Sequence, residues 1–236
     1  MRKLSISEVF YSIQGEGPSM GKRSVFLRLA GCNLMCGGQG TQFDGQLHNE
    51  AKWRCDTIEV WMKGKALAFH EILNEDHMGH LCHGAHLIIT GGEPMLQQQS
   101  IVDYLETFDI PLYVEIETNG TIAPNDKLWM QVSQWNISPK LKSSGNATAH
   151  TYKHVLHEYD NSPANCAFKF VITCEEDIEE IISLELTASK VWLMPAASEQ
   201  GQLSHLSSLV AKLAMERGFN YSHRLQVAIW NQTTGV

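Results

Sequence analysis

Apolar runs of strand length alternate with helix-like periods along almost the whole chain, and this alternation restricts the fold more than any other feature. Candidate strands occupy 25–29, 86–90, 112–117, 135–138, 168–173 and 191–194. They are short, and most read as apolar enough to be buried on both faces. Helix patterns fill 97–108, 125–131, 151–159, 175–185 and 203–217. Glu175, Glu176 and Asp177 put acid at a helix start, where the dipole favours it. Gly218 follows Arg217 as a residue suited to ending a helix. A last strand is expected at 224–229. Strands alternating with helices call for a parallel sheet with right-handed crossovers. Six strands fall short of a closed eight-stranded barrel, so a partial barrel or an open sheet is expected, with ligands at the carboxyl ends of the strands. A chain of 236 residues supports one sizeable core, and 1–236 reads as a single domain.

Charge and apolar patterning exclude several classes. Lys plus Arg number 18 against 26 Asp plus Glu, a net charge of −8. That sign opposes a protein that coats nucleic acid by neutralising phosphates. Apolar runs such as Leu87-Ile88-Ile89 are too short to span a bilayer. The first residues carry no signal-peptide apolar stretch, with Glu8 arriving early. A cytoplasmic protein is expected, with no direct nucleic-acid or membrane partner. Its six cysteines should then stay reduced, available for metal ligation or burial.

Cys32 and Cys36 follow the strand at 25–29 directly, and Cys55 comes 19 positions after Cys36, ahead of Asp56 and Thr57. Three thiolates on one loop can hold three irons of a four-iron cluster and leave the fourth open. Soft thiolates also suit zinc, and buried structural thiols are the plain alternative. Thr90-Gly91-Gly92-Glu93-Pro94 ends the next strand. Its glycines let backbone approach a ligand and Glu93 can receive an ammonium group, although Pro94 also suits an ordinary helix start. Between Cys36 and Cys55, the segment 37–53 has four Gly and three Gln among 17 residues and reads as a long loop.

Together these residues resemble the radical S-adenosylmethionine (SAM) superfamily. Ser12-Ile13-Gln14-Gly15-Glu16-Gly17, Cys55-Asp56-Thr57, Glu117-Thr118-Asn119-Gly120-Thr121, Ser138-Pro139-Lys140 and Phe168-Lys169-Phe170-Val171 occur in the order seen in one of its families. The chain resembles the 7-carboxy-7-deazaguanine synthases over nearly its whole length. The family loop usually reads Cys-x3-Cys-x2-Cys, whereas 18 residues separate Cys36 from Cys55 here. Asp56-Thr57 marks Cys55 as the third ligand; Cys82 lacks that context.

The resemblance implies a partial (β/α)6 barrel and a radical SAM lyase of deazapurine (queuosine-type) biosynthesis. It would convert 6-carboxy-5,6,7,8-tetrahydropterin to 7-carboxy-7-deazaguanine with loss of ammonia. Implied cofactors are a [4Fe–4S] cluster on Cys32, Cys36 and Cys55, SAM, and Mg²⁺ at Thr57, whose plain alternative is a helix N-cap. Ile13, Gln14, Gly15, Glu16, Arg28, Thr90, Glu117 and Asn119 are expected to meet substrate, and Gly91, Gly92, Glu93, Ser138, Pro139 and Lys140 to meet SAM. Arg28 is a charge in an apolar strand, and a carboxylate is its bidentate match, or else a structural ion pair. A flavodoxin or ferredoxin is the expected electron donor, and a homodimer is expected from the family. The competing readings are a glycyl-radical-enzyme activase and a non-catalytic iron–sulfur or zinc module. His77, His80, His83 and His86, and likewise His150, His154 and His157, lack a standard zinc spacing and are expected to be solvated or capping.

Overall fold

The structure is a computed structural model describing residues 2–37, 45–147, 149–231, 233 and 235. In chain order the elements are β1 Lys3–Ile13, β2 Arg23–Leu29, α1 Ile58–Trp61, β3 Lys65–Ala68, α2 Glu75–Cys82, β4 His86–Gly91, α3 Gln98–Leu105, β5 Val114–Thr118, α4 Asp126–Gln131, β6 Gln134–Ile137, α5 Lys153–Asn161, β7 Cys166–Ile172, α6 Glu176–Ser183, β8 Val191–Pro195, α7 Gln200–Arg217, β9 Asn220–Tyr221 and α8 Leu225–Trp230. One sheet runs β3-β1-β2-β4-β5-β6-β7-β8-β9. From β2 to β9 every pairing is parallel, and β1 joins β2 and β3 antiparallel. The six expected strands are β2, β4, β5, β6, β7 and β8, the strands of an open partial barrel. No helix of the described residues is long and apolar enough to cross a membrane.

Sequence and structure part company at both ends. β1 escaped notice because its register shifts between Ile6 and Glu8. Leu4 and Ile6 enter the core before the shift, and Val9 and Tyr11 pack against it afterwards. The bulge therefore breaks the period of two that marks a strand. At the other end, 224–229 is not a strand but lies largely in α8. Leu225, Val227 and Ile229 alternate as a strand would, yet only Val227 is buried, against Ala197 and Leu203. Leu, Gln and Ala are good helix formers, and no sheet edge takes up this segment.

Nor are the parallel strands apolar on both faces. Val25, Leu27, Leu29, Leu87, Ile89, Ile116, Trp135, Ile137, Phe168 and Phe170 face the main core. There Trp129, Trp135 and Tyr159 meet edge to face at 5.0–5.5 Å between ring centroids, an arrangement worth about 1 kcal/mol per pair beyond burial. The alternate positions form the other face, and several are charged or polar: Arg28, Thr90, Glu115, Glu117, Asn136 and Lys169. Register sets Arg28 beside Thr90 and Glu117 beside Asn136. Such a face is the lining of a site rather than a second core.

Candidate active site

The cysteine loop leaves the carboxyl end of β2 through Gly31, whose φ of 85° is open to glycine. Its neighbour is the end of β4, joined backbone to backbone: Gly92 N donates to Leu29 O and Glu93 N to Gly31 O at 2.8 Å. A Cβ on Gly92 would lie 1.9 Å from Gly31 O. The Gly-Gly pair is thus required first by the cysteine loop itself. Glu93 is fully buried. Its Oε1 accepts from Met95 N and Thr118 Oγ1, and its Oε2 from Asn119 N at 2.7 Å. Burial raises its pKa, and these donors oppose the rise. Glu93 thus braces the strand end beside the backbone of Gly91 and Gly92.

Despite 18 intervening residues, Cys55 returns to its partner: Cys55 N donates to Cys36 O at 3.2 Å. Burial pushes the Cys36 thiol up to about 11; Lys140 pulls it down, while the Cys55 and Cys32 charges push it further up. Cys32 is likewise raised by burial, and Glu93 and Cys55 oppose its ionisation. These three thiols therefore share one electrostatic neighbourhood. Among the described residues no three His, Cys, Asp or Glu side chains are gathered about a single-ion position. The chemistry of this donor set fits a cluster in which each thiolate takes a different iron. Cys82, the competitor, is exposed at the end of α2, which feeds the opposite end of the parallel sheet. Thr57 sits at the N-cap of α1 without a side-chain capping bond; its hydroxyl is 3.3 Å from Cys55 Sγ.

The turn after β6 closes the rim. Lys140 Nζ donates to Ser138 O and Oγ at 2.8 and 2.7 Å, and lies 5.9 Å from the Trp53 ring centroid. Pro139 and Lys140 line a small cavity with Leu34, Thr121 and Tyr152. Asn119 does not point freely to a substrate: its Nδ2 donates to Asn33 Oδ1 at 2.8 Å, and its Oδ1 accepts from Thr121. It ties β5 to the cysteine loop. The flanks of the insertion are tied down as well, Gly37 N to Ser144 O and Lys52 N to Ser143 O. Lys52 Nζ also reaches Cys174 Sγ at 2.9 Å. The stretch 38–44 of the expected long loop lies outside the described residues.

Below the rim, the polar face carries a connected array. Lys169, 3% exposed, donates to Glu16 Oε2 at 3.1 Å and Glu117 Oε1 at 3.2 Å. Gln14 Nε2 and Thr90 Oγ1 also donate to Glu117. Glu16 Oε1 accepts from Arg224 Nε and Gln226 Nε2, and Arg224 continues to Asp56 at 2.7 Å. Burial alone would raise the Glu16 carboxyl; Lys169 and Arg224 outweigh it and hold it at about 2. Burial would lower the Lys169 ammonium, and Glu117 and Glu16 reverse that, so it is raised. Gly15 admits this packing, since a Cβ there would meet Gln226. Ile13 ends β1 opposite Arg23. Arg28 Nε donates to Glu8 Oε1 at 2.7 Å, with the guanidinium 5.6 Å from the Phe10 ring centroid. Lys169, Arg224, Gln226 and Glu8 were not expected. Lys169 carries the same signal as Arg28, a charge inside an apolar run; Arg224 and Gln226 were hidden by the mistaken last strand. Four of these histidines have separate partners: His80 stacks on Tyr11, His86 binds Glu115, His150 Ser183 and His157 the Leu184 carbonyl.

An open parallel barrel whose first parallel strand ends in a three-cysteine loop, faced by Gly-Gly-Glu-Pro, defines the radical SAM class. No family model matches the chain. It is 32% identical to the 7-carboxy-7-deazaguanine synthase of Halobacterium salinarum, covering 97% of this chain and 91% of that one. It is 33% identical to that of Hyperthermus butylicus over 96% and 92%. The crystal structure of QueE from Escherichia coli superposes with a TM-score of 0.62 at 22% identity, covering 94% of both chains. SuiB of Streptococcus suis, solved with a precursor peptide, shares the fold with a TM-score of 0.53 at 14% identity, over 84% of this chain and 48% of SuiB. The chain belongs to the 7-carboxy-7-deazaguanine synthase family.

Proposed function

We propose that the chain converts 6-carboxy-5,6,7,8-tetrahydropterin to 7-carboxy-7-deazaguanine and ammonia, with a [4Fe–4S] cluster and SAM as cofactors. One observation carries the reading beyond family membership: a buried array of paired carboxylates and cations lies directly beneath the three-thiol rim. The pterin's amide and amino edge needs carboxylate acceptors, which Glu117 and Glu16 supply. Its carboxylate needs a cation, and Arg28 keeps its Nη atoms without a partner among the described residues while Glu8 holds its Nε.

Cys32, Cys36 and Cys55 would hold the cluster, and Gly91, Gly92 and Glu93 with Ser138, Pro139 and Lys140 would hold SAM. When bound, these cofactors supply the radical that opens the reaction. The protein's own part is to position substrate and exclude water. Thr57 is proposed as an oxygen ligand for Mg²⁺, an ion that keeps waters beside one or two protein groups. A flavodoxin or ferredoxin as donor, a homodimer and a cytoplasmic location belong to the same proposal. The activase and the metal-binding module give way to a family of small-molecule enzymes.

Anaerobic reconstitution with SAM, dithionite and the pterin, followed by mass spectrometry, tests the reading. Formation of 7-carboxy-7-deazaguanine with 5′-deoxyadenosine supports it. SAM cleavage without pterin consumption rejects the substrate, and a cluster without SAM cleavage rejects the class.

A further inference from the structure

We propose that Asn146 tunes the reduction potential of the cluster through a side-chain N–H···S hydrogen bond to Cys36. This rests on reading Cys36 as a cluster ligand. Asn146 Nδ2 lies 3.3 Å from Cys36 Sγ. The orientation of the amide follows from its other end. Met35 N, which can only donate, points at Asn146 Oδ1 at 2.9 Å, so the atom facing sulfur is the NH₂ nitrogen. That nitrogen also reaches Ser144 Oγ at 3.2 Å, and the Asn146 backbone N donates to the same hydroxyl at 3.3 Å. The side chain is fixed at both ends, and Gly145 just before it turns the chain at a φ of 76°.

Cys36 is 6% exposed and the one buried member of the three thiols. A hydrogen bond to a buried sulfur acts in a low dielectric, where its electrostatic effect is largest. Donors to ligating sulfurs favour the more negative, reduced state of a cluster, and groups that hydrogen-bond to metal ligands tune metal sites generally. One electron enters from the low-potential donor and no proton moves. Asn146 is a positioning residue: it acts through Cys36. The Ser143–Ser144 turn that braces it is also where the flanks of the insertion, Gly37 and Lys52, are bonded.

The test is an electron paramagnetic resonance (EPR)-monitored redox titration of the one-electron couple in wild-type, Asn146→Leu and Asn146→Asp proteins, with iron content measured. Asn146→Leu should be about tenfold harder to reduce at a fixed donor potential, roughly 59 mV for one electron. Asn146→Asp should shift further the same way, because a carboxylate oxygen replaces the donor. Unchanged potentials at full iron content overturn the proposal. If neither variant holds iron, the wild type decides. Protein labelled with ¹⁵N in its asparagine side chains should show a nitrogen coupling to the reduced cluster that survives Asn33→Ser; no coupling overturns it. A full cluster in Cys36→Ala would instead reject the ligand assignment beneath it.

Discussion

The rim of the site and the array beneath it are built in opposite ways. At the rim each group sits in a contiguous motif at a strand end: the Cys32 loop after β2, Gly91-Gly92 after β4, Ser138-Pro139-Lys140 after β6. Neighbouring strand ends are then joined through backbone bonds such as Glu93 N to Gly31 O. Beneath it, the ion pairs are between residues far apart in the chain. Glu16 meets Lys169, 153 positions on, and Arg224, 208 positions on. A rim of strand ends tolerates insertion, as the 18 residues between Cys36 and Cys55 demonstrate. The interior has less freedom, because removing one charge leaves its buried partners with fewer counter-charges.

Replacing a rim thiol should have the largest effect. Cys55→Ala is expected to lose the cluster and all turnover, while Cys82→Ala keeps both. Iron content and visible absorbance after reconstitution check this. A cluster that survives the first and not the second would move the third ligand to Cys82.

Lys169→Met should cost about 3–5 kcal/mol, the usual penalty for breaking a buried ion pair, because Glu16 and Glu117 then face each other with one cation fewer. Urea unfolding measures it. A loss under about 1 kcal/mol would place Lys169 on the scale of exposed pairs and sink the contrast.

Glu16 gives the interior a pH signature. Its carboxyl is held at about 2 in the folded chain against 4.5 ordinarily. The unfolded chain therefore binds more protons between those values. The stabilisation is complete above about pH 5 and is lost as pH falls toward 2. A gap of that size is at most about 3 kcal/mol. Glu16→Gln should flatten the acid limb of stability in cluster-free protein; an unchanged limb would show that other carboxylates carry it.

The smallest effect is expected from the insertion. Closing a loop of this length rather than two residues adds only about 2 kcal/mol of entropic cost. Shortening 37–54 to two residues should leave iron content and fold intact and alter turnover or partner coupling several-fold. Loss of iron would make the segment structural. Unchanged turnover and coupling would make it neutral.

The same contrast explains what could be read in advance. The order of the parallel strands and the rim motifs were legible because each lies within a few residues of chain. Arg28 was legible as a charge in an apolar strand, and Lys169 and Glu115 offered the same signal. Glu8 and Arg224 were not: one follows a β-bulge that breaks the period of β1, and the other precedes a short helix whose apolar residues alternate like a strand. Glu93 and Asn119 stand at the strand ends as expected, but local sequence gives no sign that their side chains also brace the rim.

In the proposed function the rim and the interior divide the chemistry, SAM above and pterin below. Arg28→Lys tests this division most directly, because Lys keeps the charge but loses the planar fork. Reductive SAM cleavage in the absence of pterin, and pterin KM and kcat, should be measured on the same reconstituted sample. Unchanged SAM cleavage with pterin turnover down at least tenfold is expected. A parallel fall in both would contradict the division, and wild-type pterin kinetics would remove Arg28 from the substrate site.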